Sequence, residues 1–190
     1  GGEWGRDYTA AEVRAIVEAC RETGVTLIDT AECYGDHLAE ELVGEAIAGD
    51  REQWIVATKF GHKFHERYTR DNLWKPEEAV ATLDASLKAL RTDYVDLLQF
   101  HSGPDEVFFN DELWSVLRGE QEKGKVRHLG NSVGFNGNVK QIEASGQYGI
   151  ETVQIIYNYL DRKPEEAVFP SCLEQELGVL ARVPLASGFL

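Results

Sequence analysis

The sequence predicts an α/β fold and, within that class, a (β/α)8 TIM barrel of which about six β/α units are present. Two observations carry the prediction. Short apolar runs rich in branched residues alternate with amphipathic stretches at repeats of about 25–40 residues, which is the pattern of a parallel sheet covered by helices. No G-x-G-x-x-G turn follows the first apolar run, as a doubly wound sheet holding a dinucleotide would require, so the barrel is favoured.

Thr9-Ala-Ala-Glu12 reads as a capping box, and Val13, Ile16, Val17 and Cys20 fall on one helical face that ends at Gly24. The run Val25 to Ile28, stopping at Asp29, is the first strand. Leu38, Leu42, Val43, Ala46 and Ile47 make the next helical stripe, before a strand over Trp54 to Thr58. Pro76 with Glu77 and Glu78 starts a helix through proline's fixed φ and the pairing of acid with the positive helix end. Val80, Leu83, Leu87 and Leu90 form its buried face, and Tyr94 to Phe100 is the strand that follows. Asn110 caps a helix to about Lys123, Gly124 stops it, and Val126 to Leu129 is a strand. A weaker helix begins at Asn136, ahead of a strand over Thr152 to Tyr157. Pro164, Glu165 and Glu166 open the last helix, Pro170 interrupts or restarts it, Gly178 ends it, and Val179 to Val183 is the final strand.

A complete barrel has eight strands and about 250 residues. The 190-residue chain is therefore expected to be an internal portion of one longer domain, residues 1–190, with its N- and C-terminal parts missing. The formal net charge of −14 argues against nucleic acid, because phosphate binding needs a concentrated basic surface. No apolar run approaches the ~18 residues that span a bilayer and no secretory signal opens the chain, so a cytoplasmic protein without membrane partners is expected. Cys20, Cys33 and Cys172 are far apart, without CxxC or Cys/His spacing, and fit reduced thiols; Cys33 reads as a buried or half-buried bystander. His62 and His65 at i, i+3 lack a third ligand, so no metal is expected.

In a parallel barrel, reactive groups gather where strands end. Asp29 ends T-L-I-D, Lys59 ends I-V-A-T-K, His101 follows L-L-Q-F, and Tyr34 lies five residues beyond Asp29. Each alone has an ordinary explanation: a turn cap, a packing phenol, a core imidazole. Lys59 is less ordinary, since an ammonium at the end of an apolar strand needs a partner, and Asp29 on the neighbouring strand end can provide it. The loop after Lys59 carries His62, Lys63, Phe64, His65, Arg67, Arg70 and Trp74, and such loops shape substrate pockets. Asp36, Glu40, Glu41 and Glu45 read as a solvated helix face.

The segments D-T-A-E-C-Y-G at 29–35, T-K-F-G at 58–61 and L-L-Q-F-H at 97–101 resemble, in that order, the catalytic segments of the aldo-keto reductases. The stretches G-K-V-R-H-L-G-N-S at 124–132, V-Q-I-I-Y-N at 153–158 and R-V-P-L-A-S-G at 182–188 resemble the later strand ends of the bacterial-type members. Ser132 followed by Val133, where many relatives have Ser-Asn, is closest to the branch that includes the potassium-channel beta subunits.

The resemblance implies hydride transfer between NADP(H), with NAD(H) as the alternative, and the carbonyl carbon of a small aldehyde or ketone. Tyr34 would be the general acid, Lys59 the cation that lowers its pKa, Asp29 the group that orients Lys59, and His101 a hydrogen-bond donor to the carbonyl oxygen. It also implies that Ser132 and Gln154 hold the nicotinamide carboxamide, that Arg182 stacks on the ring, and that Leu185, Ser187 and Gly188 run beside the pyrophosphate. Two alternatives predict other behaviour. A Schiff-base lyase using Lys59 would be trapped by borohydride without nicotinamide, and a non-catalytic cofactor-binding subunit or inactive fragment would bind NADPH without turnover.

Overall fold

The computed structural model describes residues 8–65, 69–134 and 138–190. Helix α1 (Ala10–Thr23) opens on the predicted capping box: Glu12 accepts the Thr9 backbone N–H at 2.9 Å, and the Glu12 N–H donates to the Thr9 hydroxyl at 3.3 Å. Gly24, left-handed at φ 74°, ends it. Strand β1 (Leu27–Asp29) is shorter at its start than the sequence suggested, and it leads through a turn into α2 (Leu38–Ile47) and β2 (Ile55–Phe60). A β-hairpin, β3 (His62–Phe64) and β4 (Arg70–Asn72), follows within the stretch read as a loop, and Arg67 lies outside the described residues.

Helix α3 (Pro76–Leu90) has proline in its first turn as expected, and β5 (Val95–His101) comes next. A short α4 (Asp105–Phe108) precedes α5 (Asp111–Glu122), whose cap Asn110 accepts from the Glu112 N–H at 3.0 Å. After β6 (Val126–Ser132) come α6 (Val139–Glu143) and β7 (Ile150–Ile156); Asn136, the predicted start of that helix, is outside the described residues. Helix α7 (Val168–Glu174) carries Pro170 in its first turn, where the missing N–H is harmless. It ends before Glu176, left-handed at φ 57°, so Gly178 is the first residue of β8 (Gly178–Arg182) rather than the helix stop.

The six strands pair in parallel in the order β1-β2-β5-β6-β7-β8. Among the described residues β1 and β8 are each paired on one side only, so the barrel is incomplete. The alternation of the strands sets what faces where. Val56, Phe60, Leu98, Phe100 and Leu129 pack with Leu83, Leu87 and Trp114 of the helices in one buried cluster. The alternate positions Lys59, Gln99 and Gly130 are register neighbours across three strands, and so are His101, Ser132 and Gln154. The inner face of the sheet is thus polar towards its C-terminal edge. No helix among the described residues is long and apolar enough to cross a membrane.

Helices α2 and α3 pack closely because Gly44 has no side chain. A Cβ there would stand 2.5 Å from the backbone carbonyl of Leu90. Backbone cannot swing aside as a flexible side chain can, so Gly44→Ala is expected to destabilise the fold by about 1–3 kcal/mol. Equilibrium urea unfolding measures this, and an unchanged midpoint would contradict the packing described.

Candidate active site

Asp29 is the last residue of β1, Lys59 lies near the end of β2, and His101 and Ser132 close β5 and β6. All therefore open on one edge of the sheet. Tyr34 reaches the same edge from the turn after β1, where Gly35, Asp36 and His37 are consecutively left-handed and redirect the chain into α2.

Lys59 is 1% exposed, and its ammonium donates to Asp29 Oδ2 at 2.8 Å and to the Thr30 carbonyl at 2.7 Å. The Lys59 Nζ also stands 5.2 Å from the centre of the Tyr34 ring. The rings of Tyr34 and His101 meet edge to face at 6.4 Å. Phenol, ammonium, carboxylate and imidazole from three strand ends thus converge. Burial pushes the Tyr34 pKa up and outweighs the lowering by Lys59, with Asp29 adding to the rise. Lys59 thus acts in the direction expected of it, but burial makes the net shift upward, and the phenol keeps its proton at neutral pH.

The second Asp29 oxygen joins another set of groups. Oδ1 accepts from Gln99 Nε2 at 3.1 Å and from Gln154 Nε2 at 2.9 Å, while the Ser132 hydroxyl donates to Gln154 Oε1 at 3.0 Å. Ser132 and Gln154 are therefore adjacent, as the resemblance implied, and linked to the ion pair. Gly130 makes room for this arrangement, since a Cβ there would lie 2.9 Å from Gln99 Cγ. Arg182 donates from Nη2 to the carbonyls of Val133 and Gly134 at 3.0 and 2.7 Å, anchoring the segment after Ser132. Leu185, Ser187 and Gly188 lie exposed on the turn after β8, with Ala186, Ser187 and Gly188 all left-handed.

Two residues that the sequence reading passed over belong to this neighbourhood. Gln99 sits two residues before His101 on the same strand face, a period-2 signal that could have identified it. Glu32 is 3% exposed, accepts the His62 backbone N–H at 2.8 Å, and places Oε1 3.7 Å from His101 Nδ1. Despite the burial penalty, the His101 side chain and the His62 N–H hold the Glu32 pKa below the usual carboxylate range. Cys33 is buried, as expected, with its sulfur 3.7 Å from the same imidazole nitrogen. Trp74 packs partly buried against the core, close to Gly61 and the His62 ring.

Glu40 is not part of a solvated face. It is fully buried, accepting from the Thr58 hydroxyl and pairing with His37 Nδ1 beneath the turn that carries Tyr34. The Glu40 contact raises the His37 pKa above its ordinary 6.5. A raised folded-state value means that the stabilisation is fully present below the unfolded pKa near 6.5 and is lost as pH rises through the higher folded value. The stability gap between wild type and His37→Gln, from urea midpoints, should therefore be wider at about pH 5.5 than at about pH 9. A gap independent of pH would contradict the pairing.

A cavity of 610 Å³ lies at the other end of the strands, between Arg51, Lys88 and Tyr94, and none of the four converging residues lines it. Arg51 and Arg127 there flank the Tyr94 ring, each 4.2 Å from its centre, and both donate to Asp96. That end of the barrel serves stability.

A family model described as "Aldo/keto reductase family" matches residues 1–190. The chain is 34% identical over 195 residues to the aldo-keto reductase YhdN of Bacillus subtilis (strain 168), a match that covers 100% of this chain and 56% of that protein. It superimposes with a TM-score of 0.87 on the holo form of aldo-keto reductase AKR11C1 from Bacillus halodurans, at 31% identity, over 97% of this chain and 61% of that one. An aldo/keto reductase from Klebsiella pneumoniae, solved in complex with NADP and acetate, aligns with a TM-score of 0.78 at 29% identity, over 93% of this chain and 59% of that one. The chain thus spans little more than half the length of the relatives it matches.

Proposed function

Because the chain belongs to the aldo/keto reductase family, we propose that the full-length protein interconverts a small aldehyde or ketone and its alcohol using NADP(H). The observation that carries this reading is the buried Lys59 ammonium, tied to Asp29 at 2.8 Å and standing beside the Tyr34 phenol, with His101 across from it. A reduced nicotinamide supplies the hydride when bound. The donor set fits its carboxamide: Ser132 offers a hydroxyl, Gln154 offers an amide, and among the described residues the buried Gln99 Oε1 lacks a hydrogen-bond partner of its own. The NADP-bound relative from Klebsiella pneumoniae supports NADP(H) ahead of NAD(H).

In this reading Tyr34 gives its hydroxyl proton to the carbonyl oxygen as the carbonyl carbon is reduced. The Lys59 ammonium stabilises the phenolate left behind, and Asp29 keeps that ammonium aimed. His101 donates a second hydrogen bond to the same oxygen and fixes its approach. Arg182 acts at one remove, holding the Val133 and Gly134 carbonyls and so the backbone beside Ser132. Two of the three Lys59 ammonium protons are committed to Asp29 and Thr30, which works against its use as a Schiff-base nucleophile.

The test is a panel of aldehydes and ketones with NADPH and with NADH, followed by nicotinamide absorbance. Carbonyl-dependent oxidation, faster with NADPH, is expected. Binding of NADPH without turnover on any carbonyl would replace the reading with that of a cofactor-binding subunit.

A further inference from the structure

Behind the Tyr34 turn, three side chains of metal-binding type meet. The Glu32 Oε1 and the Cys33 sulfur each lie 3.7 Å from His101 Nδ1, and the three ligand atoms are all within 4.8 Å of one another. The Glu32–His101 separation exceeds an ordinary N–H···O hydrogen bond, and the Cys33–His101 separation is that of a weak sulfur hydrogen bond. The two separations from Nδ1 lie close to the edges of a tetrahedral zinc site, where bonds of about 2.3 Å to sulfur and about 2.0–2.1 Å to nitrogen or oxygen put neighbouring ligands about 3.4–3.6 Å apart.

From this geometry we propose that Glu32, Cys33 and His101 form a binding site for a thiophilic divalent cation of the Zn2+ class, with water completing the tetrahedron. Two further observations point the same way. Glu32 is 3% exposed, yet among the described residues its Oε2 has no hydrogen-bond partner, and the neighbouring His62 likewise has a buried Nδ1 without one. A cleft of 440 Å³ whose charged lining is Glu32, Asp36, Glu78 and Lys63 reaches this wall, and its three carboxylates outnumber the one ammonium. The mixed thiolate, imidazole and carboxylate set suits zinc or cobalt and is too soft for magnesium or calcium.

On binding, the Cys33 thiol releases its proton to solvent and forms a sulfur–metal bond. The Nδ1 lone pair of His101 forms the second bond, leaving the ring proton on Nε2, and Glu32 supplies an oxygen. The metal then joins the segment that carries Tyr34 to the end of β5 and holds the His101 ring. That consequence for turnover rests on the function proposed above, whereas the binding itself does not.

The test uses the metal-free full-length protein, titrated with Co2+ and then with Zn2+. A sulfur-to-cobalt charge-transfer absorption that saturates and disappears on adding Zn2+ is expected, together with a melting temperature that rises with Zn2+. Cys33→Ser should abolish the charge-transfer band. Glu32→Gln should keep the band and weaken affinity by about tenfold or more. The double variant Cys20→Ser/Cys172→Ser, made with every cysteine outside residues 1–190 also replaced by serine, should keep both band and affinity, and it decides the matter if Cys33→Ser does not fold. A wild-type protein without the band, a band that survives Cys33→Ser, or one lost in the double variant overturns the proposal. None of these readouts depends on carbonyl reduction.

Discussion

Tyr34→Phe is expected to lower carbonyl turnover by about 10²–10⁴-fold, the usual contribution of a positioned acid, while leaving the NADPH dissociation constant unchanged. The split follows from where the hydroxyl stands. Tyr34 belongs to the turn after β1, near Lys59 and His101, whereas the groups assigned to the carboxamide are Ser132 and Gln154 on β6 and β7. Phe keeps the ring and its edge-to-face contact with His101, so packing is preserved and only the proton is lost. Burial raises the Tyr34 pKa, which keeps the phenol in its donating form at neutral pH. Stopped turnover with intact NADPH binding by fluorescence supports the assignment, and an equal loss of both counts against it.

The second large effect concerns stability and is asymmetric. Asp29→Asn should cost about 3–5 kcal/mol, because it leaves the Lys59 ammonium buried without its counter-charge. Lys59 is 1% exposed, and its remaining acceptors, the Thr30 carbonyl and the amide oxygen of the new asparagine, would both be neutral. Lys59→Met should cost less, since the Asp29 side chain is 32% exposed and still receives the Gln99 and Gln154 amides. Both variants should lose carbonyl reduction. Urea unfolding of the pair distinguishes the cases: if Lys59→Met proved the less stable, Asp29 would be the more dependent partner and the description of the ion pair would be wrong.

Much of the scaffold could be read from local pattern. The Thr9–Glu12 box, the Asn110 cap and the apolar runs of β2, β5 and β7 depend on neighbours in the chain, and they appear where the sequence puts them. The hairpin β3–β4 was not legible, because strands of three residues such as His62–Phe64 and Arg70–Asn72 carry too few positions to show alternation. Gly178 misled for a different reason: the helix stops at a left-handed glutamate, a conformation that side-chain type seldom announces.

In the site, the strand-end positions of Asp29, Lys59 and His101 were visible, but the bonds among them were not. The amide of Gln154 reaches Asp29 across 125 residues of chain, and no local spacing encodes that contact. Glu40 shows the same limit from the other side. Its helix places it among acidic neighbours that suggest solvent, and only the packing of α2 over β2 turns it towards Thr58. The sign of the Tyr34 shift also needed three dimensions, because it is a balance between burial and the lysine's field.

The most direct measurement is a crystal structure of the full-length protein with NADP and an unreactive analogue of a carbonyl substrate. The analogue's oxygen should lie within about 2.6–3.2 Å of both the Tyr34 hydroxyl and a His101 ring nitrogen, with the Lys59–Asp29 pair intact beneath it. An oxygen bound elsewhere, with the Tyr34 hydroxyl turned away from Lys59, would contradict the account.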